Sequence, residues 1–153
     1  MRVGIGYDSH RFAPDRRLIL GGVEIEHDQG LEGHSDADVL THAVIDALLG
    51  AGGLGDLGAH FPPDDERWRD ADSLDLLTTV IGMLDGPVAN VDATVICEAP
   101  KLGPHRAEME RNLSDVVGSR VSVKATTNEG MGFVGRGEGM ACIAVALLEG
   151  IRV

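Results

Sequence analysis

Apolar residues recur along this chain with two periods, and together they predict strands and helices in mixed order. Met1 to Tyr7 reads as a strand with Val3 and Ile5 on one face, and Leu18 to Ile25 as one or two short strands broken by Gly21-Gly22. From Asp38 to Gly50 the spacing turns helical, with Val39, Leu40, Ala43, Val44, Ala47 and Leu48 recurring. Ser35 is a candidate N-cap with Asp38 three residues on, close to a capping box, and Gly50, Gly52 and Gly53 end the helix. Leu54 to Asp72, rich in Gly, Pro and Asp, reads as a long loop of the kind that often carries function. Ser73 to Leu84 is a second helix with Leu74, Leu77, Ile81 and Leu84 on one side. Val88 to Glu98 alternates, setting Ala89, Val91, Ala93, Val95 and Cys97 against Asn90, Asp92 and Thr94. Pro104 to Val117 is a third helix with proline in its first turn, and Arg120 to Thr127 is another alternating strand. Met140 to Leu148 is apolar on both faces, which fits a buried strand or a helix segment.

This order predicts an α+β sandwich, one domain over residues 1–153, with helices against one face of a sheet. No linker, repeat or low-complexity segment divides it. A strand apolar on both faces needs cover on both sides. Helices supply one, and a partner subunit is the simplest supplier of the other.

Charge narrows the function class. The chain carries 13 basic and 25 acidic residues, a net −12, which argues against binding a phosphate backbone and so against nucleic acid as a partner. No apolar run approaches the roughly 20 residues of a membrane span, and MRVGIGYDSH lacks the apolar stretch of a signal peptide. Two distant cysteines, Cys97 and Cys142, argue against a disulfide scaffold and fit a reducing cytoplasm, the expected location.

Candidate chemistry gathers in four places. Asp8 and His10 lie two apart at a strand end and point the same way, and His42 lies on the first helix. Two imidazoles and a carboxylate leave a fourth position open, the pattern of a catalytic zinc. Asp46, four residues beyond His42, is placed to orient its ring. Asp-x-His is also a common spacing without a metal. His34 and Ser35 precede a helix N-terminus, which attracts anions, although Ser35 as a plain cap explains the same residues. APKLGPH, residues 99 to 105, offers Lys101 to a phosphate or simply to solvent. KATTNEGMGFVGRGEG, residues 124 to 139, offers Thr126, Thr127, the hard oxygen ligand of Glu129 and the guanidinium of Arg136, and is equally readable as a glycine-rich hairpin. It is not a Walker A loop, since no Gly-Lys-Ser/Thr follows the glycines.

Taken together, DSH, GGV, GHSDADVLTHAVIDALLGAGGLGDLG, FPPDD, ADS, NVDATVICEAPKLGPH and KATTNEGMGFVGRGEG resemble the 2-C-methyl-D-erythritol 2,4-cyclodiphosphate synthases of the mevalonate-independent route to isoprenoid precursors. The match runs the whole chain. The resemblance implies a mixed four-stranded sheet with helices on one face, packed around a three-fold axis in a homotrimer with active sites at the subunit interfaces. It implies zinc on Asp8, His10 and His42, and magnesium (or manganese) on Glu129. His34 and Thr127 take the transition-state role. Substrate contacts fall on Asp8, Ser9, His10, His34, Ser35, Asp56, Leu57, Gly58, Phe61 and Asp65, and on Pro100, Lys101, Leu102, Gly103, Ala125, Thr126, Thr127, Asn128 and Glu129. Phe133, Arg136 and Glu138 come near the axis, where the family has a cavity for an isoprenoid diphosphate. The usual FPDTD reads FPPDD here, so Pro63 replaces a carboxylate while Asp65 keeps its place. After Lys101, Leu102-Gly103 replaces larger residues.

The implied reaction converts 4-diphosphocytidyl-2-C-methyl-D-erythritol 2-phosphate to the 2,4-cyclodiphosphate with release of CMP. Two rivals share the same residues. A zinc phosphohydrolase would give linear products, and a trimer that only binds isoprenoid diphosphates around Arg136 would release no CMP.

Overall fold

A computed structural model describes residues 1–150, and the last three residues of the expected 1–153 domain lie outside it. Twelve strands and helices follow in chain order. The first half runs β1 (Arg2–Ala13), β2 (Leu18–Leu20), β3 (Val23–Ile25), β4 (Gly30–Leu31), α1 (Val39–Gly52), α2 (Leu57–His60) and α3 (Ser73–Met83). The second runs β5 (Val88–Ile96), α4 (Arg106–Val117), β6 (Arg120–Thr126), α5 (Gly132–Gly135) and β7 (Gly139–Leu148). Among these residues no helix is long and apolar enough to cross a membrane.

The main sheet has five strands in the order β4-β1-β7-β5-β6, rather than the expected four, and β2 and β3 form a separate hairpin. The extra strand arises because β1 does not stop at Tyr7. It runs to Ala13, and Phe12 and Ala13 pair with Leu31 and Gly30. Residues Asp8 to Arg11 lack apolar alternation, so pattern alone ends the strand too early. The final apolar run is a strand, and it lies between β1 and β5, antiparallel to both. β5 and β6 are parallel, joined by a crossover through α4.

Helix α1 is buried on nearly every side, lying between the sheet and α3. The inner face of β1 has glycine where α1 crosses. A Cβ on Gly4 would overlap the Ala47 carbonyl oxygen, and one on Gly6 that of Ala43, both well inside the 3.0 Å that real Cβ contacts respect. Alanines at 43, 47 and 51 complete this close seat. The helix starts at Asp38, whose Oδ1 accepts from Thr41 N at 2.9 Å, and not at Ser35 as expected. Both Asp38 oxygens also accept from Gly21 and Gly22 N–H at 2.9 Å, tying the β2–β3 turn to the helix start. Those bonds come from a distant turn, which a local capping pattern cannot register. Gly53, at φ 69°, closes the helix as expected.

The loop 54–72 holds more structure than expected. Asp56 caps the single turn α2 through Ala59 N, and Asp65 caps a 3₁₀ turn over Glu66–Trp68. Turns this short leave no periodic signal.

The other sheet face is apolar and open. Val3, Ile5 and Tyr7 are 68%, 70% and 53% exposed, and Ile5 and Tyr7 sit opposite Val145 and Ile143 on β7, which are also exposed. Val3 and Ile5 share a face, as the pattern predicts, and that face points away from the helices.

Gly6→Ala is expected to destabilise the fold by at least about 2 kcal/mol, because the clash is with helix backbone and not with a side chain that can turn away. Thermal unfolding of the purified variant measures the loss.

Candidate active site

The glycine face of β1 continues into Asp8 and His10, and the first turn of α1 brings His42 over them. Asp8 Oδ2 lies 2.8 Å from His10 Nε2 and 3.3 Å from His42 Nδ1, and the two ring nitrogens are 3.3 Å apart. Among the described residues this is the one group of three or more His, Cys, Asp or Glu side chains whose ligand atoms converge so closely. His10 Nδ1–H donates to the Glu32 carbonyl at 2.8 Å, which turns the Nε2 lone pair toward Asp8. Asp8 Oδ2 is buried and has no hydrogen-bond partner of acceptable geometry. Three acceptor atoms therefore face one point, and the set fits a divalent cation with a further coordination position open to a ligand.

The charges are coupled. Burial alone would raise the Asp8 carboxyl, but the two imidazoles beside it outweigh burial and hold it below the ordinary carboxylate range. Burial works against protonation of His10, and Asp8 overcomes it, so His10 sits above its ordinary value. A proton and a metal ion compete for the same three atoms.

Asp46 does not orient His42. Its Oδ1 accepts from Leu57 N at 2.7 Å, fixing the start of α2. Four-residue spacing puts both side chains on one helix flank, but Asp46 turns to the loop. His42 Nε2 meets Ser73 Oγ at 2.8 Å and Ser35 Oγ at 3.2 Å instead. Ser73 lies 31 residues from His42 in sequence. The sequence pattern places Ser73 only at the start of the second helix, in the ADS motif.

A cavity of about 190 Å³ adjoins the triad. Asp8, His10, His34, Ser35, His42, Leu57, Gly58 and Phe61 line it, all expected site residues. Pro63, Trp68 and Leu76 complete the wall, and Phe61 packs edge-on against Trp68 with ring centroids 4.9 Å apart. Pro63 thus presents an apolar surface to the cavity. His34 Nε2–H donates to the Asp65 carbonyl at 2.9 Å, drawing the loop onto the site. The Asp65 carboxylate is taken by Arg67, which holds it below the ordinary carboxylate range. Asp56 serves as the α2 cap and does not line the cavity.

The remaining expected residues lie elsewhere. In register, Asp8 is level with Cys142, Cys142 with Val95, and Val95 with Ala125. The Ala125 end is therefore three strand spacings away, about 14 Å. There Leu102, Gly103 and Ala125 line a second cavity of about 260 Å³ with Arg106, Met109, Val123 and Lys124. Lys101, Thr126 and Thr127 are exposed around it, with Pro100 half-buried. Glu98, unremarked in the sequence, accepts from Asn128 N at 2.9 Å and Gly130 N at 3.3 Å. That turn sets Glu129 at φ 54° with its side chain exposed, 3.5 Å from Thr127 Oγ1. Asn128 donates through Nδ2 to the Met131 carbonyl at 2.7 Å. Ser9 faces a third recess with Phe133 and Glu138, and Arg136 pairs with Glu138 at 2.8 Å.

Both thiols are poor nucleophiles. Burial pushes Cys97 up to about 11 and Cys142 further still.

Comparison with known proteins agrees with this geometry. The YgbB family model matches residues 1–149. The 2-C-methyl-D-erythritol 2,4-cyclodiphosphate synthase of Symbiobacterium thermophilum is 59% identical, covering 98% of this chain and 99% of its own. That of Gloeobacter violaceus is 57% identical over 97% and 95%. A CDP-bound 2C-methyl-D-erythritol-2,4-cyclodiphosphate synthase structure superposes with a TM-score of 0.88 at 35% identity, covering 97% of this chain and 100% of that one.

His42→Ala is expected to abolish stoichiometric metal binding, whereas Asp46→Ala leaves the affinity within about threefold of the wild type, since Asp46 bonds α2 and not the triad. Metal content after dialysis and zinc competition titration separate the two variants.

Proposed function

The chain belongs to the YgbB family of 2-C-methyl-D-erythritol 2,4-cyclodiphosphate synthases, and from that membership we propose how its residues carry the reaction. The enzyme is a lyase of isoprenoid precursor biosynthesis. It converts 4-diphosphocytidyl-2-C-methyl-D-erythritol 2-phosphate to the 2,4-cyclodiphosphate and releases CMP. One observation carries the residue assignment: one ligand atom from each of Asp8, His10 and His42 converges beside a cavity that His34 and Ser35 also line.

The nucleophile is the substrate's own 2-phosphate, and the electrophile is the β-phosphorus of its diphosphate. A new P–O bond forms there, the bond to the CMP oxygen breaks, and CMP leaves with the electron pair. The attacking phosphate is already an anion near neutral pH, so no strong general base is required. Two anions must instead be brought together, and positioning with charge neutralisation does the work. Asp8, His10 and His42 hold zinc, which when bound supplies Lewis-acid polarisation of a phosphate oxygen. Glu129 offers a carboxylate to magnesium on the substrate diphosphate, in keeping with that ion's habit of taking few protein ligands. Ser35 donates to a phosphate oxygen at the triad, and His34 there and Thr127 from the opposite cluster steady charge at the reacting phosphates. Leu57, Gly58, Phe61 and the loop through Asp65 enclose the methylerythritol, excluding water. The 100–103 turn with Ala125 to Thr127 receives the cytidine.

Zinc at the triad and magnesium at Glu129 would have to meet one diphosphate, which is far shorter than the about 14 Å between the Asp8 and Ala125 ends of one chain. We therefore assign the complete site to the boundary between copies of a homotrimer, each supplying one cluster. The open face of Val3, Ile5, Tyr7, Ile143 and Val145 supports that assembly. Phe133 and Arg136 near that boundary are the proposed contacts for an isoprenoid diphosphate on the three-fold axis. The cytoplasm is the proposed location.

The purified chain with zinc, magnesium and the diphosphocytidyl substrate is expected to release one CMP per cyclic diphosphate. Linear phosphorylated products would favour the hydrolase, and tight binding with no CMP would favour a binding protein. Glu129→Ala is expected to lower turnover about 10²-fold while zinc content stays at the wild-type level. Steady-state CMP release paired with metal analysis reads both.

A further inference from the structure

The far side of His42 leads into a polar relay. Its Nδ1 faces Asp8 and His10, and its Nε2 lies 2.8 Å from the Oγ of Ser73, a fully buried side chain. The Ser73 hydroxyl has one proton, and it is committed to Asp36 Oδ1. Ser73 Oγ then meets His42 Nε2 as an acceptor. Asp36 is held to receive that proton: its Oδ2 accepts from Ser73 N at 2.9 Å, and its Oδ1 from Asp38 N at 3.1 Å. The bond directions therefore run one way, from His42 Nε2–H through the Ser73 hydroxyl to the Asp36 carboxylate. Among the described residues, Ser35 Oγ is the only other acceptor within reach of His42 Nε2, at 3.2 Å, and it already faces Ala37 N.

The backbone around the relay is shaped to hold it. Ala37 is fully buried at φ 56°, a conformation that side-chain-bearing residues avoid. That kink lets Asp36 turn to Ser73 while Asp38 turns to Gly21 and Gly22. Asp36 N also bonds the Ala71 carbonyl at 3.2 Å, and Asp70 N bonds the His34 carbonyl at 2.9 Å, so the segment before α3 is stitched to the segment before α1.

We infer that Asp36 and Ser73 are positioning residues that hold His42 as the Nε2–H tautomer and so present its Nδ1 lone pair to the metal ion. The two ligand imidazoles are thus oriented differently: His10 by a backbone carbonyl, His42 by a hydroxyl backed with a full negative charge. A carboxylate behind a ligating imidazole strengthens that ligand. The inference rests on the reading of Asp8, His10 and His42 as a metal site.

Zinc affinity of the full chain, by competition with a chromophoric chelator, tests it in wild type, Ser73→Ala, Asp36→Asn and the control Thr78→Ala on the exposed flank of α3. Ser73→Ala is expected to weaken zinc about ten- to a hundredfold and to change the visible absorption of the cobalt-substituted protein. Asp36→Asn, which keeps an acceptor but loses the charge, is expected to fall between Ser73→Ala and the control. A purely structural role for Ser73 would lower the melting temperature of the metal-free chain and leave affinity and the cobalt spectrum unchanged, and that result overturns the relay. Nitrogen-15 NMR of the metal-free wild type, at a pH where the imidazoles are neutral, decides the matter even if Ser73→Ala fails to fold: a proton on His42 Nε2 supports the relay, and a proton on Nδ1 overturns it. Wild-type protein that binds no zinc at all removes the metal reading itself, a separate failure.

Discussion

Backbone contact between a strand and a helix sets the position of everything else in this molecule. Gly4 and Gly6 on β1 leave no side chain between the strand and α1, so the helix settles onto the sheet at alanine distance. Interiors are packed too densely for such a seat to be approximate. One residue before the contact begins, α1 carries His42. Two residues past it, β1 carries Asp8 and then His10. With ordinary residues at 4 and 6 the helix would have to lift away, and three atoms now within 3.3 Å of one another would separate. The absence of side chains thus serves the presence of a site.

A second feature is the division of labour among carboxylates in a chain of net charge −12. Most of those near the cavity are already committed. Asp38 anchors the hairpin and the helix start, Asp36 holds Ser73, Asp46 starts α2, and Asp65 pairs with Arg67. Among the carboxylates of the described residues, Asp8 alone keeps a buried oxygen without a hydrogen-bond partner. An acidic protein can therefore accept a highly anionic substrate, because the carboxylates beside the cavity are largely satisfied internally.

The parts of this structure legible in sequence were those with a repeating signal or a diagnostic run of residues. The three long helices, the β2–β3 hairpin and the alternating β5 and β6 came from periodicity. The triad came from Asp-x-His at a strand end together with the family motifs. What escaped depended on contacts across the chain. β1 runs on through Asp8 to Arg11 because β4 and β7 pair with it there, although its residues do not alternate. Asp38 displaces Ser35 as the cap because a turn 17 residues upstream adds donors to it. Asp46 sits at the right helical spacing from His42 and bonds to Leu57 instead, while Ser73 arrives from another helix. Spacing along one element fixes which residues share a flank and leaves open which of them meet a neighbour.

The claim on which the rest depends is that the seat of α1 on β1 builds a nitrogen- and oxygen-ligated metal centre. X-ray absorption at the zinc edge, on the zinc-loaded full chain, tests it most directly. The geometry predicts a shell of nitrogen and oxygen at about 2.0–2.1 Å with the outer-shell scattering of two imidazoles. A sulfur shell near about 2.3 Å, or the scattering of a single imidazole, would contradict it.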